Sequence, residues 1–161
     1  MARAFTLIEL LVTIAILAVV ASGVVAIIDP QDKIRQANDA KIQSDIGQLA
    51  TALQAYATSH DAQYPCKTGG LLGCPNGAGQ NGLSALVSGG ELVVIPSPPN
   101  NWTCNGGTTY EDGFVYNGTS VELKCDLRSK KYVNSGTPVW GFCSAEAQIG
   151  PVVSYTVGDC P

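Results

Sequence analysis

The sequence predicts an α+β chain, with a long N-terminal helix packed on a small antiparallel sheet whose loops are tied by disulfides. Three observations predict it. Residues 5–28 are nearly unbroken apolar sequence with one charge, Glu9. Residues 31–59 keep a helical period with one apolar stripe. Residues 61–161 hold 16 of the 18 glycines, 8 of the 9 prolines and all six cysteines, a composition of short strands, turns and crosslinked loops. A length of 161 residues suits one domain with an appendage.

Composition narrows the function. Charged residues make up 14% and the formal net charge is −4, where about 25% charged is ordinary. No positive excess exists to neutralise phosphates, so nucleic acid is not an expected partner. Disorder needs low hydrophobicity with high net charge, and this chain has neither. The 45% apolar content is uneven: 19 of the 24 residues from Phe5 to Ile28 are apolar.

A 24-residue helix is about 36 Å long and spans a hydrocarbon core of about 30 Å. Three readings of this rod compete. It is a plain signal anchor, or a secretory signal peptide cut after Val19-Val20-Ala21, or a helix whose carboxylate has a purpose. A charge at the centre of a spanning helix costs a few kcal/mol, less near its end. Glu9 therefore either sits at the interface, favoured by the positive helix N-terminus, or awaits a partner.

The segment Ala4-Phe5-Thr6-Leu7-Ile8-Glu9-Leu10-Leu11-Val12 resembles the processing motif of type IV pilins and type II secretion pseudopilins. The resemblance implies a leader of residues 1–4, cut by a prepilin peptidase between Ala4 and Phe5, and methylation of the new N-terminus at Phe5. The family nearly always has Gly before the cut, and this chain has Ala4. The resemblance also supplies a partner for Glu9. Cleavage creates an α-amine on Phe5, and packed rods place the Glu9 carboxylate of one subunit near the Phe5 ammonium of the next. At 4 Å such a pair gains about 4 kcal/mol at an effective dielectric near 20. Desolvation offsets much of this, so the pair reads as a device for register and recruitment. Thr6 adds a local hydrogen bond at the same place.

Asp29-Pro30 interrupts the run. Asp caps helices well and Pro suits a first turn, whereas Pro inside a continuous helix kinks it. Either way a hinge falls between Gly23 and Pro30. Residues 29–60 then form an amphipathic helix. Ile34, Ile42, Ile46, Leu49, Leu53 and Tyr56 make its core stripe, with Asp32, Lys33, Gln36, Gln43 and Gln54 opposite. The pilin resemblance covers residues 3 to 65.

Residues 61–161 form the cysteine-containing, β-rich head. Leu83–Val87 before Gly89-Gly90 reads as a short helix with a Gly stop, and Leu92–Ile95 as a short apolar run. Asn117-Gly118 favours a two-residue hairpin turn that pairs Tyr116 with Thr119 and Phe114 with Val121. Phe114, Tyr116, Val121 and Leu123 then share the inner face, while Ser120, Glu122 and Lys124 point out. Val139–Cys143 and Val152–Val157 are further strands. Trp102, Tyr110 and Trp140 are either core or exposed adhesive aromatics.

Six cysteines allow fifteen pairings, which sequence does not resolve. With no C-x-x-C and one histidine, His60, a zinc site lacks suitable ligand spacing. An even count in a translocated domain favours disulfides. The pairing expected is sequential: Cys66–Cys74, Cys104–Cys125 and Cys143–Cys160, the last closing a C-terminal loop of a kind many type IV pilins have.

Other motifs carry less. Gly77-Ala78-Gly79-Gln80-Asn81-Gly82 spells G-x-G-x-x-G without the preceding strand that dinucleotide binding needs. Asp112, Glu122 and Asp126 are weighed as a calcium site and read as solvated charge. His60 near a helix end reads as solvated or dipole-stabilising rather than catalytic. Asn101 and Asn117 open N-x-T triplets. No cofactor, metal or catalytic residue is expected.

The resemblance implies a non-enzymatic filament subunit. Such a subunit is held by one helix in the cytoplasmic membrane, then polymerised by pilus assembly machinery into a homo-oligomeric extracellular filament. A major pseudopilin of a secretion system is the alternative within the class. A secreted or anchored binding domain or enzyme is the alternative outside it.

Overall fold

The computed structural model describes residues 5–66, 82–116, 120–156 and 160–161, without the side chains of 25–27. Helix α1 (Leu7–Ile28) is followed by α2 (Pro30–Ser59). The single residue between them, Asp29, has φ 45° and ψ 72°. It ends α1 in a left-handed conformation and caps α2 with Oδ1, which accepts from the Asp32 amide, while Pro30 occupies the first turn. Of the two expectations for Pro30, the fresh helix start is the one observed. A proline there loses no hydrogen bond and its fixed φ suits the turn.

The head adds α3 (Ser84–Ser88), β1 (Phe114–Tyr116), β2 (Val121–Asp126), α4 (Lys130–Ser135), β3 (Val139–Cys143) and β4 (Gln148–Val152). The four strands form one antiparallel sheet in the order β1-β2-β3-β4. With its long N-terminal helix and two disulfides among the described residues, this is an α+β, pilin-like arrangement. The core lies between α2 and the inner sheet face. Ile42, Ile46, Leu49, Leu53 and Tyr56 from the helix meet Phe114, Tyr116, Val121, Leu123 and Phe142 from the sheet, with Leu83 and Leu86 beside them. Burying each such side chain contributes roughly 1.5–3 kcal/mol.

Several expectations need correction. Ile34 is 63% exposed and outside the core, because at the first turns of α2 the head meets the helix through Asp32 rather than through Ile34. Asp32, expected opposite the core stripe, is buried against the head. The β1–β2 register is Phe114↔Leu123 and Tyr116↔Val121, two residues away from a two-residue Asn-Gly turn. The Asn117-Gly118-Thr119 turn itself lies outside the described residues. The shift is an even number, so the inner-face set survives it. The last strand is Gln148–Val152 rather than Val152–Val157. Helix α4 was not anticipated. Its Gly136 stop, at φ 76°, follows a stretch too short to show a period.

The largest correction concerns Glu122 and Lys124. Both were expected to face water, and both are buried, at 4% and 3% exposure. Residues 153–156 and 160–161, after β4, lie over the outer face of the sheet and cover them. Lys124 Nζ donates to the Thr156 carbonyl (2.7 Å), Tyr155 Oη donates to Asp126 Oδ1 (2.6 Å), and Cys160 is bonded to Cys143. Gly141 and Gly150, paired across β3 and β4, make room for this layer. A Cβ on Gly141 would lie 2.9 Å from Lys124 Cγ, and one on Gly150 would lie 2.9 Å from Pro161 Cβ.

Candidate functional site

The first turn of α1 is built from Thr6 and Glu9. Thr6 is the N-cap, and the Glu9 amide donates to its Oγ1 (3.3 Å). Glu9 Oε2 accepts in return from the Thr6 amide (2.9 Å) and the Thr6 hydroxyl (2.7 Å). This reciprocal capping box satisfies backbone donors that a helix start otherwise leaves orphaned. Glu9 is therefore not without a partner in the single chain. Its Oε1 takes no hydrogen bond among the described residues. Phe5 precedes the cap and is 76% exposed. Ala4, the residue expected before the cut, lies outside the described residues.

Every side chain described from Phe5 to Val24 is exposed, although the segment is almost wholly apolar. Leu7–Val24 is long and apolar enough to cross a membrane. Thr13 and Ser22 hide their hydroxyls by donating to the carbonyls of Leu10 and Val19 (both 2.8 Å). Such self-satisfaction is what an apolar surround requires.

A ladder of carboxylates on α2 fixes the head to the rod. Asp39, 1% exposed, accepts from the amides of Arg128 (2.9 Å) and Ser129 (2.8 Å) and from Trp102 Nε1 (3.3 Å). Asp32 accepts from the Lys130 amide (2.8 Å) and from Gln36 (2.7 Å). Asp29 pairs with the Lys130 ammonium. The Lys130 side chain holds the Asp29 carboxyl below its ordinary range, and the Lys130 amide does the same for Asp32. Lys130 is pushed up in turn by Asp29. Higher on the helix, Asp45 accepts from Tyr110 Oη (2.8 Å) and pairs with Lys41 (2.6 Å). Burial and that carboxylate push the Tyr110 phenol upward. Sequence reasoning missed Asp39 and Asp45. The signal was present, since each is an acidic residue within the apolar stripe.

The remaining predicted residues resolve as follows. Cys104 bonds Cys125 and Cys143 bonds Cys160. Cys66 is disulfide-bonded, and the expected Cys66–Cys74 pairing falls on Cys74, outside the described residues. Tyr110 and Trp102 are core, Trp102 lying under the Arg128 guanidinium (5.1 Å). Trp140 is half-buried, edge-on to Tyr132. His60 caps the end of α2, stacked on Tyr56 at 3.8 Å. Asp112, Glu122 and Asp126 are not gathered around one point: they engage Thr109, Lys124 and Tyr155 respectively. Glu122 does approach Cys143 and Cys160, but both sulfurs are committed to their disulfide and offer no thiolate.

Fold and site define a class: a chain with one exposed apolar helix, capped by Thr and Glu at its first turn and carrying an α+β head. Residues 1–25 match the family model of the prokaryotic N-terminal methylation motif, the signature of type IV pilins and prepilins. The motif supports a pilin-like or pseudopilin subunit and points to a structural role rather than catalysis. It implies processing by a prepilin peptidase and fits membrane anchoring before assembly. No curated protein and no solved structure matches the chain.

Proposed function

We propose that this chain is the structural subunit of a type IV pilus-like filament. It is cut between Ala4 and Phe5, methylated on Phe5, and held in the cytoplasmic membrane by residues 5–28. The pilus assembly machinery then polymerises it through this helix, leaving residues 61–161 on the filament surface. The observation that carries the reading is the complete exposure of an apolar helix that begins on the Thr6–Glu9 box. Such a helix needs an apolar surround, supplied first by lipid and then by neighbouring copies. The unoccupied Oε1 of Glu9 gives the Phe5 ammonium of a neighbour an acceptor without dismantling the cap. The filament's work is mechanical and adhesive, without catalysis.

Mass measurement of the mature N-terminus tests processing: a methylated Phe5 start is expected, and a start after Ala21 sinks the proposal. A Glu9→Ala variant is expected to enter the membrane and be excluded from filaments when wild type competes. Normal incorporation would remove the role given to Glu9. Imaging of sheared cells with labelled heads separates a surface pilus from a periplasmic pseudopilus.

A further inference from the structure

We propose that the membrane-facing end of the head is a docking surface for anionic lipid headgroups. The proposal rests on the reading of residues 5–28 as the membrane anchor.

The cations are segregated. From Asp29 onward the sequence has 8 basic and 12 acidic residues. Four of the eight, Lys33, Arg35, Lys130 and Lys131, lie on the first turns of α2 and α4, and all four are exposed. The carboxylates beside them are Asp29 and Asp32, and both are engaged: Asp29 by Lys130, Asp32 by the Lys130 amide and Gln36. This leaves four basic and ten acidic residues for the remainder. An acidic head thus carries a positive collar at one end. Lys33, Arg35 and Lys131 form no ion pair among the described residues, so their charge is available.

The collar stands where the chain leaves the apolar helix. Asp29 directly follows α1, and the Lys130 bonds to Asp29 and Asp32 hold the start of α4 level with the first turn of α2. Lys33 and Arg35 rise about 6 and 9 Å beyond Asp29 along the helix. The headgroup layer is about 5–8 Å deep, and lysine and arginine stems reach back toward it. On a helical wheel Lys33 and Arg35 lie on opposite sides of the Asp32–Gln36 line that faces α4, roughly 80° away on either side. Lys130 and Lys131 stand in front, so the cations surround the exit point. Val133, 52% exposed on α4, adds apolar surface suited to the interface.

A lipid surface fits better than another copy's acidic head, because the anchor holds the collar at the headgroups of every isolated subunit. Near an anionic surface each cation favours contact by roughly fivefold, and salt weakens the attraction within a Debye length. The collar would then hold α4 and the base of the head against the membrane before assembly.

The test places the full chain, one copy per disc, in nanodiscs of phosphatidylcholine alone or with one-third phosphatidylglycerol. Amide exchange of residues 130–135 is followed. Slowing by at least about threefold is expected in the anionic discs. The slowing should vanish in high salt and in the variant Lys33→Gln/Arg35→Gln/Lys131→Gln. It should persist in Lys33→Arg/Lys131→Arg, which keeps the charge. Unchanged exchange of the β2 amides verifies that the variants are folded. Equal exchange in the two lipids overturns the docking proposal alone, as does slowing that survives the Gln variant. Slowing that appears only with two or more copies per disc also overturns it, and makes the acidic head of a second copy the partner. A chain that fails to enter the discs overturns the anchor reading and the docking proposal together.

Discussion

Lys124 and Glu122 face each other at 2.9 Å on the outer side of β2, their side chains only 3% and 6% exposed. A strand that a helix covers on one side and the segment after β4 covers on the other has no wet face. The charges remain tolerable there because Lys124 also donates to the Thr156 carbonyl. Removing one partner takes this ion pair from the other charge in a dry site.

Lys124→Met and Glu122→Gln are each expected to destabilise the head by about 3–5 kcal/mol. The double variant should recover much of that loss, since it leaves no unpaired charge. Denaturant unfolding of the detergent-solubilised chain, monitored by tryptophan emission, measures all three.

Opening the Cys143–Cys160 bond should loosen the layer above the pair. A loop of this length, with a sequence separation of 17, constrains the unfolded chain by about 3 kcal/mol. In Cys143→Ser/Cys160→Ser, Lys124 is expected to become reactive toward an amine-acylating reagent. Peptide mapping reads this directly, and continued protection of Lys124 would contradict the covering role of residues 153–156 and 160–161.

Asp39→Asn removes a buried carboxylate that accepts three hydrogen bonds from the head. A loss of about 3 kcal/mol is expected. The amide oxygen can keep the Trp102 and Arg128 bonds, but the Ser129 amide, which donates to Oδ2, then meets an NH2 donor and should exchange faster.

Acid should weaken the same junction. The Asp29 and Asp32 carboxyls lie below their ordinary value of 3.8, through Lys130 in each case. Their contribution is therefore complete above about pH 4 and declines as pH falls through the lowered folded-state values. Asp29→Asn/Asp32→Asn should flatten the fall of the head's thermal midpoint below about pH 4 relative to wild type. An unchanged slope would exclude these two groups.

Thr6→Val removes the hydroxyl of the capping box and should leave membrane insertion intact. The first turn is expected to lose about 1 kcal/mol. The Glu9 amide should then exchange roughly fivefold faster in micelles.

Periodic and chemical signals were legible in the sequence where they were local. The apolar rod, the amphipathic stripe from Ile42 to Tyr56 and the break at Asp29-Pro30 follow from spacing alone. The inner face of the β1–β2 hairpin did as well, since its four residues alternate. Burial that depends on a distant segment was not legible. Glu122 and Lys124 look like an ordinary wet face until Thr156 and Cys160 are laid over them. Asp39 betrays its burial only by its place on the apolar stripe; the groups it accepts from, Trp102 and the 128–129 backbone, come from 63 and about 90 residues away. At the N-terminal motif Phe5, Thr6 and Glu9 were named from their letters. The capping box, which occupies Glu9 within one chain, required coordinates.

The layer over β2 also sets an order of events. Thr156 and Cys160 follow the strands in the chain, so the strands have been synthesised before their cover exists. During that interval Lys124 and Glu122 face water, where an ion pair costs nothing to keep. They lose that water only when the last loop closes and its thiols are oxidised. A head whose final loop is still open is thus hydrated on the outer face of its sheet. Folding that outpaces oxidation would yield a population of heads with native strands and a wet, unlocked outer face.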